Sequence, residues 1–330
     1  MSVKVAINGF GRIGRLVYRA LIESGRTDME VVAINDLADS NTNAHLLKYD
    51  SVHGVSTADI SVSGKDIVVN GKTVKAFQER DPAALPWGEL GIDIVFECSG
   101  IFTKRDMAGK HLEAGAKKVL ISAPATDEDL TVVYGVNSDA LTADHKIVSN
   151  ASCTTNCLAP FAHAIHNAIG IETGFMTTIH AYTGDQRTVD TMHSDLHRAR
   201  AAAVNMIPTS TGAAKAVGKV LPALNGKLDG VAIRVPTPNV SLVDLKFTAS
   251  RATSVEEIND AVKAAASGPL KGVLDVYDAP LVSSDFNHNP HSSIFSLAGT
   301  KVMDGTFVRV MSWYDNEWGF SNRMIDTLLN

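Results

Sequence analysis

Hydrophobic and polar positions in the first 150 residues follow the pattern of strands alternating with helices. A buried strand is predicted at 3–8, followed at 11–24 by apolar side chains spaced three or four residues apart, which indicates a helix. Asn70-Gly71 between two short apolar runs predicts a two-residue hairpin turn. The remaining elements predicted in this half are strands at 31–35, 92–97 and 118–121 and a helix at 104–114. This alternation predicts a doubly wound parallel sheet.

Beyond residue 150 the pattern changes to one long helix and then mostly strands. The long helix is predicted at 152–168, directly after a short strand at 146–149. The elements predicted after it are strands at 175–180, 231–235, 241–249, 273–277 and 307–313, helices at 211–221 and 255–266, and helical spacing at 320–329. We therefore predict an α/β protein with a Rossmann-type parallel sheet, followed by an α+β domain with a mostly antiparallel sheet.

Composition and charge narrow the class of protein. With 330 residues, 45% hydrophobic and 20% charged, the chain is expected to fold into about two domains. A net charge of −6 gives no basic face for nucleic acid, and no apolar run approaches the ~18 residues of a membrane helix. An odd number of cysteines and an N-terminus without a signal pattern lead us to expect a cytoplasmic protein.

A glycine-rich turn after the first strand predicts a dinucleotide site. Gly9-Phe10-Gly11-Arg12-Ile13-Gly14 matches G-x-G-x-x-G and lies between a strand and a helix, the context that supports this reading. The glycines permit a tight turn and let backbone N–H groups approach a pyrophosphate at the helix start. Asp36 ends the second strand, where a carboxylate can bind ribose hydroxyls and repel a 2′-phosphate. The predicted cofactor is NAD.

A cysteine at the start of the long helix is the candidate nucleophile. Cys153 would lie in the first helical turn, where free N–H groups and the helix dipole stabilise a thiolate. Cys157, one turn later, and Cys98 are expected to be buried and inert. No metal site is expected on this helix, because its histidines, His163 and His166, point away from Cys153 and Cys157.

One histidine stands out as the partner of this thiol. His180 ends an apolar strand and is followed by a polar loop, so it is a candidate general base.

These residues make the chain resemble phosphorylating glyceraldehyde-3-phosphate dehydrogenases of the class I, bacterial type, over its full length. The matching motifs are Ile7-Asn8-Gly9-Phe10-Gly11-Arg12-Ile13-Gly14-Arg15, Ala151-Ser152-Cys153-Thr154-Thr155-Asn156-Cys157, Thr178-Ile179-His180-Ala181-Tyr182-Thr183, Ser210-Thr211-Gly212-Ala213-Ala214-Lys215-Ala216, Arg234-Val235-Pro236-Thr237-Pro238 and Trp313-Tyr314-Asp315-Asn316-Glu317. Together they are highly specific for this family.

The resemblance implies roles for particular residues. Cys153 corresponds to the nucleophile and His180 to its activating base. The positions of the family's NAD contacts are Gly9, Arg12, Ile13, Asp36, Arg80, Ser122 and Asn316. The positions that bind the substrate phosphate and the attacking phosphate are Ser152, Thr154, Thr183, Arg198, Thr211, Gly212 and Arg234, without a division between the two phosphates.

The resemblance also implies an architecture and a reaction. An NAD-binding domain at 1–150 and a catalytic domain at 151–316 are expected, with a C-terminal helix at about 317–330 packing back on the first domain, in a cytoplasmic homotetramer. The implied reaction is the glycolytic, NAD- and phosphate-dependent oxidation of D-glyceraldehyde 3-phosphate to 1,3-bisphosphoglycerate, through a hemithioacetal and a thioester on Cys153. Two alternatives remain open: an erythrose-4-phosphate dehydrogenase, and a catalytically silent NAD-binding interaction protein.

Two positions depart from the common family pattern. Thr191-Met192 stands where NAD-preferring members commonly carry Leu-Pro, and Phe320 stands where many carry tyrosine. Neither departure falls on Cys153 or His180. In the family the loop that contains residues 191 and 192 approaches the neighbouring subunit's cofactor, so preference for NAD over NADP is expected to depend mainly on Asp36.

Overall fold

The computed structural model describes residues Ser2–Thr327, and the chain divides into two compact units. The first unit comprises residues up to Val132, Ser138–Ala151 and the chain from Ser321 onward. The second comprises Val133–Asn137 and Ser152–Phe320. No helix among the described residues is both long and apolar enough to cross a membrane.

The first unit is built on a nine-stranded sheet with the strand order β10-β11-β9-β8-β1-β2-β7-β6-β5. All its pairings are parallel except those of the β5-β6-β7 meander at one edge. The chain order reverses between β1 and β8, so a crevice opens at the carboxyl ends of these two strands. The elements of this unit are β1 Val3–Asn8, α1 Arg12–Ser24, β2 Met29–Asn35, α2 Ser40–Lys48, β3 Tyr49–Asp50, β4 Gly54–Val55, β5 Ile60–Ser63, β6 Asp66–Val69, β7 Lys72–Phe77, α3 Trp87–Leu90, β8 Ile94–Glu97, α4 Arg105–Ala108, α5 Lys110–Glu113, β9 Lys118–Ile121, β10 Leu130–Thr131 and β11 Ile147–Ser149.

Sequence signals account for the local structure of this unit. Strand β8 is buried along its whole length, as expected of a central parallel strand covered on both faces. Between β6 and β7, Asn70 and Gly71 both adopt positive φ (50° and 78°), as a hairpin turn with the strand twist requires. The helix predicted at 104–114 is instead two short helices that meet at Gly109. Glycine loses more conformational entropy than other residues when it becomes helical, which disfavours a continuous helix at this position.

The second unit contains an eight-stranded sheet in the order β13-β14-β12-β15-β19-β17-β16, with β18 pairing on β19. Five of its seven pairings are antiparallel, and β12 with β14 and β16 with β17 are parallel. The elements of this unit are α6 Cys153–Ile169, β12 Ile171–Ala181, β13 Ile207–Ser210, α7 Ala213–Val220, β14 Leu228–Val235, β15 Ser241–Ala249, α8 Val255–Ser267, β16 Leu274–Tyr277, β17 Ser293–Ser296, β18 Lys301–Met303 and β19 Phe307–Tyr314. The predicted fold class, including the mostly antiparallel second sheet, is confirmed.

The last described helix is α9, Trp318–Asp326. Within the first unit, Asp326 forms a 3.0 Å ion pair with Arg26, and the Thr327 hydroxyl donates to Asn150 Oδ1 at 2.9 Å. These contacts tie the end of the described chain to the first unit. The expected continuation of this helix to about residue 330 lies outside the described residues.

Candidate active site

The glycine turn lies between β1 and α1, at the crevice of the first sheet. Gly9 has φ +86°, and a Cβ atom there would lie 2.4 Å from the backbone nitrogen of Ser99. A Cβ on Gly14 would lie 2.1 Å from the carbonyl oxygen of Gly9. By contrast, nothing lies within 4 Å of a Cβ placed on Gly11, which precedes α1 and makes no side-chain cap. The space beside the start of α1 is therefore open, and the N–H groups of a helix start are suited to bind an anion.

Asp36 follows β2 and points into the same crevice. Its carboxylate accepts the backbone N–H of Phe10 at 2.8 Å and that of Ala38 at 2.9 Å. These bonds fix the side chain beside the glycine turn. A cavity of about 420 Å³ lies here, and the residues lining it are Asn8, Gly9, Gly11, Asn35, Asp36, Leu37, Glu79, Arg80, Cys98, Ser99, Ile101 and Phe102. Open backbone donors, a carboxylate and a cavity of this size fit a dinucleotide.

The structure brings only some of the predicted cofactor residues to this cavity. Gly9, Asp36 and Arg80 line it, whereas Arg12, Ile13 and Ser122 do not. Arg12 instead makes an ion pair with Asp50 at 2.8 Å. Burial alone would raise the pKa of Asp50, but hydrogen bonds from two backbone N–H groups and from Arg12 lower it to about 2. The Arg12 guanidinium is therefore engaged, and its contribution to a cofactor would come from its backbone.

Ile13 and Ser122 each follow an element at this crevice: Ile13 comes just after the glycine turn in the sequence, and Ser122 comes after β9, the strand next to β8. Ile13 is half-buried in the first turn of α1. Ser122 directly follows β9, donates its backbone N–H to the carbonyl of Glu97 at 2.9 Å and hydrogen-bonds the Cys98 side chain.

In the second unit, Cys153 is the first residue of the 17-residue helix α6. Ser152 caps this helix, because its hydroxyl accepts the backbone N–H of Thr155 at 3.0 Å. The cap leaves Cys153 at the positive end of the helix dipole. The prediction that Cys153 lies in the first turn of the long helix is confirmed, and Ser152, predicted as the first helical residue, is its N-cap.

The pairing of two strands places His180 and Arg234 side by side next to Cys153. The parallel strands β12 and β14 pair His180 with Arg234, so both side chains lie at the same carboxyl end. His180 Nε2 lies 3.6 Å from Cys153 Sγ, and His180 Nδ1 lies 2.7 Å from the carbonyl oxygen of Ala181. Nδ1 has two contacts, and the one to the Ala181 carbonyl, which only accepts, is shorter than the 3.2 Å contact to Arg234 Nη1, which only donates. The ring proton is therefore assigned to Nδ1, and Nε2 can accept the thiol proton.

Arg234 joins this pair to a neighbouring hydroxyl. Its Nη1 atom lies 3.2 Å from His180 Nδ1, 3.1 Å from the Ala181 carbonyl and 3.4 Å from the Thr183 hydroxyl. Its Nε atom is buried without a hydrogen-bond partner. A half-buried guanidinium with a free donor next to a hydroxyl is a suitable place for an anionic group.

Burial and the Arg234 cation determine the protonation of the pair. Desolvation, the Arg234 cation and, to a smaller degree, the Arg198 cation lower the pKa of His180 to about 3, although the bond to the Ala181 carbonyl opposes this. Desolvation raises the pKa of the Cys153 thiol, while Arg234 and hydrogen bonds at the helix start lower it. The helix start therefore favours the thiolate as expected, but burial outweighs it, a factor that the sequence pattern does not contain.

Arg198 forms an ion pair with Asp185, a partner that the sequence pattern does not predict. Its Nη1 donates to Asp185 at 2.7 Å, and its Nε donates to the Thr209 hydroxyl at 3.1 Å. Burial acts to raise the pKa of Asp185, but hydrogen bonds from Arg198 and His193 lower it overall. An incoming phosphate would compete with the Asp185 carboxylate for this guanidinium.

The starts of helices α6 and α7 lie side by side. The Thr155 hydroxyl contacts Ser152 Oγ at 2.7 Å and donates to the Ala213 carbonyl at 3.3 Å. The Thr211 hydroxyl accepts the N–H of Ala213, the first residue of α7, at 3.2 Å, and a Cβ on the N-cap residue Gly212 would meet nothing within 4 Å. Ser152, Thr211 and Gly212 thus lie at two adjacent helix starts. The Thr154 hydroxyl contacts Tyr314 Oη at 2.8 Å and also hydrogen-bonds the Cys153 side chain.

Two side chains that the sequence did not single out support the centre. Ser241 accepts the Ala181 N–H at 3.0 Å and donates to Asn316 Oδ1 at 2.7 Å, so it links the predicted cofactor residue Asn316 to the backbone next to His180. Tyr314 contacts the His180 ring edge-on, with a centroid distance of 5.9 Å. Tyr314 belongs to a quoted motif, but no pattern marks Ser241.

The other two cysteines differ in their surroundings. Cys157 is fully buried, and desolvation raises the pKa of its thiol to about 12. Cys98 is half-buried rather than buried as predicted, because it follows β8 at the crevice and lines the cavity. Desolvation and the nearby Glu97 raise the pKa of the Cys98 thiol, so it is a poor nucleophile. Among residues 2–327 no group of three or more histidine, cysteine or acidic side chains is placed to hold a metal ion.

A dinucleotide-type crevice together with a cysteine–histidine pair is the arrangement of a dehydrogenase that acts on an aldehyde through a covalent intermediate. Models of two protein families match the chain: "Glyceraldehyde 3-phosphate dehydrogenase, NAD binding domain" over residues 3–105, and "Glyceraldehyde 3-phosphate dehydrogenase, C-terminal domain" over residues 152–316.

Curated relatives agree with the family models over the full length. The chain is 69% identical to the glyceraldehyde-3-phosphate dehydrogenase of Xanthobacter flavus over 327 residues, covering 99% of this chain and 98% of the relative. It is 65% identical to that of Cereibacter sphaeroides, with 99% and 98% covered, and 60% identical to that of Geobacillus stearothermophilus, with 99% and 97% covered. The chain belongs to the glyceraldehyde 3-phosphate dehydrogenase family, and it is an NAD-dependent oxidoreductase that acts on an aldehyde.

Proposed function

We propose that the protein oxidises D-glyceraldehyde 3-phosphate with NAD and inorganic phosphate to 1,3-bisphosphoglycerate, a step of glycolysis, with Cys153 as nucleophile and His180 as base. The observation that carries this proposal is the 3.6 Å contact between Cys153 Sγ and His180 Nε2, beside an arginine with a free donor. A thiol next to an unprotonated imidazole can attack a carbonyl carbon, and a nearby cation can hold a phosphate.

The cofactor belongs to the proposed NAD-binding domain at 1–150, and residues 151–316 form the proposed catalytic domain. The backbone N–H groups at Gly11 and Arg12 would hold the pyrophosphate, and the Asp36 carboxylate would hold ribose hydroxyls. Arg80 lines the same cavity, while Ile13, Ser122 and Asn316 are proposed contacts by resemblance. NAD, when bound, supplies the acceptor for the hydride of the aldehyde.

The protein's own groups account for the chemistry at sulphur. Cys153 Sγ bonds to the aldehyde carbon while the thiol proton passes to His180 Nε2 and on to the aldehyde oxygen, which gives a hemithioacetal. His180 then removes the hydroxyl proton as the carbon is oxidised, and a thioester to Cys153 remains. Backbone donors at the capped start of α6 can stabilise negative charge on the oxygen.

Two groups of donors suit the two phosphates. Arg234, Thr183 and Arg198 combine cations with a hydroxyl, while Ser152, Thr211 and Gly212 offer neutral donors at two helix starts. An oxygen of inorganic phosphate attacks the thioester carbon, the acyl phosphate leaves, and Cys153 departs as a thiolate. Thr154 is a proposed ligand through its backbone only, since Tyr314 occupies its hydroxyl.

A spectrophotometric assay tests the proposal against its alternatives. NADH absorbance should rise with glyceraldehyde 3-phosphate only when phosphate is present for sustained turnover. A higher kcat/KM with erythrose 4-phosphate would instead favour the related dehydrogenase. NAD binding without turnover of either aldehyde would favour a silent NAD-binding protein.

We also infer a homotetramer in the cytoplasm. Large apolar side chains are exposed in one segment of the second unit, 189–206, where Met192 is 88% and Leu196 80% exposed. Concentrated exposed apolar surface indicates a contact with another chain. Light scattering on the purified protein tests the proposed assembly, and a mass near that of a single chain would contradict it.

A further inference from the structure

A buried carboxylate that the proposed chemistry does not use lies at the crevice of the first sheet. Glu97, the last residue of β8, is 1% exposed, and its two oxygens accept four hydrogen bonds. Oε2 accepts from Asn8 Nδ2 at 2.6 Å and from His111 Nε2 at 2.9 Å. Oε1 accepts from the Ser99 backbone N–H at 2.8 Å and from the Ser99 hydroxyl. Because every partner donates, the group acts as an acceptor-only carboxylate.

The histidine in this network has one possible tautomer. The Trp87 indole N–H donates to His111 Nδ1 at 3.0 Å, and an indole can only donate. Nδ1 is therefore unprotonated, and the single ring proton is on Nε2, directed at Glu97. His111 is fully buried, and its bonds to Trp87 and Glu97 hold the ring in this orientation.

Ser99 connects the Glu97 carboxylate to the cavity proposed for the cofactor. A Cβ on Gly9 would lie only 2.4 Å from the Ser99 backbone nitrogen. Residues 98–101, the Ser99 segment, therefore pack directly on the glycine turn. The Ser99 hydroxyl in turn accepts the Ile101 N–H at 3.1 Å, and Phe102 meets the His111 ring edge-on. Ser99, Ile101 and Phe102 line the cavity, and Glu97 itself does not.

We propose that Glu97 is a positioning residue for the cofactor site: with His111 as its fixed neutral donor, it holds the Ser99 segment against the Gly9 turn before the cofactor binds. This inference rests on the proposed NAD site. A wall that is already ordered spares the binding step the cost of ordering it, so the network increases affinity without touching the ligand.

The replacement Glu97→Gln tests the proposal because it keeps size and shape. The amide of the new glutamine can be turned in two ways. In one, its nitrogen faces the Ser99 N–H, and in the other it faces Asn8 and His111, so in both a donor meets a donor. While Trp87 donates to Nδ1, His111 cannot change tautomer to relieve this conflict. We expect the NAD dissociation constant, measured by calorimetry, to rise roughly 10- to 100-fold, the range for losing a hydrogen bond to a charged group.

Two further readouts separate positioning from general damage. In the free protein, amide hydrogen exchange in the Ser99 segment should become faster in the Glu97→Gln variant. Either the Ser99 N–H loses its acceptor or, in the other amide orientation, the side chain that carries this acceptor loses its bonds to Asn8 and His111. In steady-state assays the KM for NAD should rise, while kcat at saturating NAD and the KM for the aldehyde stay near wild type.

Matched variants provide controls. His111→Gln should stay near wild type, since an amide can both accept from Trp87 and donate to Glu97, whereas His111→Leu should weaken NAD binding. Asp93→Asn changes a carboxylate that directly precedes strand β8, at the end opposite Glu97, and accepts the Lys4 N–H at 2.8 Å; it should leave NAD affinity unchanged.

Wild-type NAD affinity or unchanged exchange in the Glu97→Gln variant overturns the proposal, and so does an equal loss of affinity in Asp93→Asn. If wild type itself fails to bind NAD, the proposed function fails, while the exchange measurement still decides whether Glu97 holds the Ser99 segment. If the Glu97→Gln variant does not fold, Ser99→Ala removes one donor and keeps the charge, and it should weaken NAD binding in the same direction, though less; unchanged affinity there overturns the proposal.

Discussion

Adding one methyl group at two glycines of the same turn should have opposite consequences for folding and binding. At Gly9, φ is +86°, and a Cβ would lie 2.4 Å and 2.5 Å from the backbone N and Cα of Ser99. At Gly11, φ is −73°, and a Cβ would meet nothing within 4 Å. The space beside Gly11 is the space in which the proposed pyrophosphate would lie.

The expected magnitudes follow from these contacts. In Gly9→Ala, a left-handed alanine costs about 1–2 kcal/mol, and overpacking against backbone adds about 1–3 kcal/mol. With about 2–4 °C per kcal/mol for domains of this size, the melting temperature should fall by several degrees. Gly11→Ala loses only a favoured N-cap residue, at most about 1 kcal/mol, but its methyl group occupies the approach to the helix N–H groups.

The assay is thermal unfolding with and without NAD, combined with calorimetric titration. Gly9→Ala should melt lower in both conditions. Gly11→Ala should melt close to wild type without NAD, gain little from added NAD, and bind it at least tenfold more weakly, a loss of about 1.4 kcal/mol or more. If Gly11→Ala binds NAD as wild type does, the turn is not where the cofactor's phosphates approach, and the reasoning is refuted.

Three further predictions concern the reacting groups. Cys153→Ser should abolish aldehyde oxidation while NAD still raises the melting temperature, because an alcohol supplies no anion at neutral pH; substantial residual NADH formation would contradict this. Asp36→Gly should raise kcat/KM with NADP relative to NAD, since it removes a carboxylate that repels a 2′-phosphate; an unchanged ratio would argue against this role. Iodoacetamide should label Cys153 faster than Cys157 or Cys98, because His180 Nε2 lies 3.6 Å from the Cys153 sulphur and can take its proton, and because the Arg234 cation opposes the effect of burial there; peptide mapping that finds either of the other two first would reverse the assignment of the nucleophile.

Features that depend on neighbouring residues in the chain could be predicted from the sequence. The helix beginning at Cys153 follows from the Ser152 cap next to it, and the turn at Asn70-Gly71 follows from two residues that tolerate positive φ. Strand β15 was predicted with its observed ends, because its buried and half-buried positions alternate along its whole length. In each case a short segment contains the physical cause.

Features that depend on pairing between distant segments could not be predicted in this way. The parallel register of β12 and β14 places Arg234 beside His180 across 54 positions of the chain, and only the resemblance had linked them. Ser241 links Ala181 to Asn316 through two hydrogen bonds, although an isolated serine at the start of a strand has no signal. Burial of Cys153, which opposes the effect of its helix, likewise depends on the packed fold.

The position of Arg234 suggests how the pair changes its protonation during the proposed reaction. Its cation lowers the pKa of both Cys153 and His180, but burial raises the pKa of Cys153 overall, so the free pair is a thiol next to a neutral imidazole. The thiol proton then passes to His180 when Sγ attacks the aldehyde carbon. A substrate phosphate bound to Arg234 would offset the cation, and the pKa of His180 would then rise toward its ordinary value. His180 would hold a proton more readily at the stage when it has to remove one from the hemithioacetal. Binding of the substrate phosphate to Arg234 would therefore make His180 a stronger base at both proton transfers, from the thiol and from the hemithioacetal.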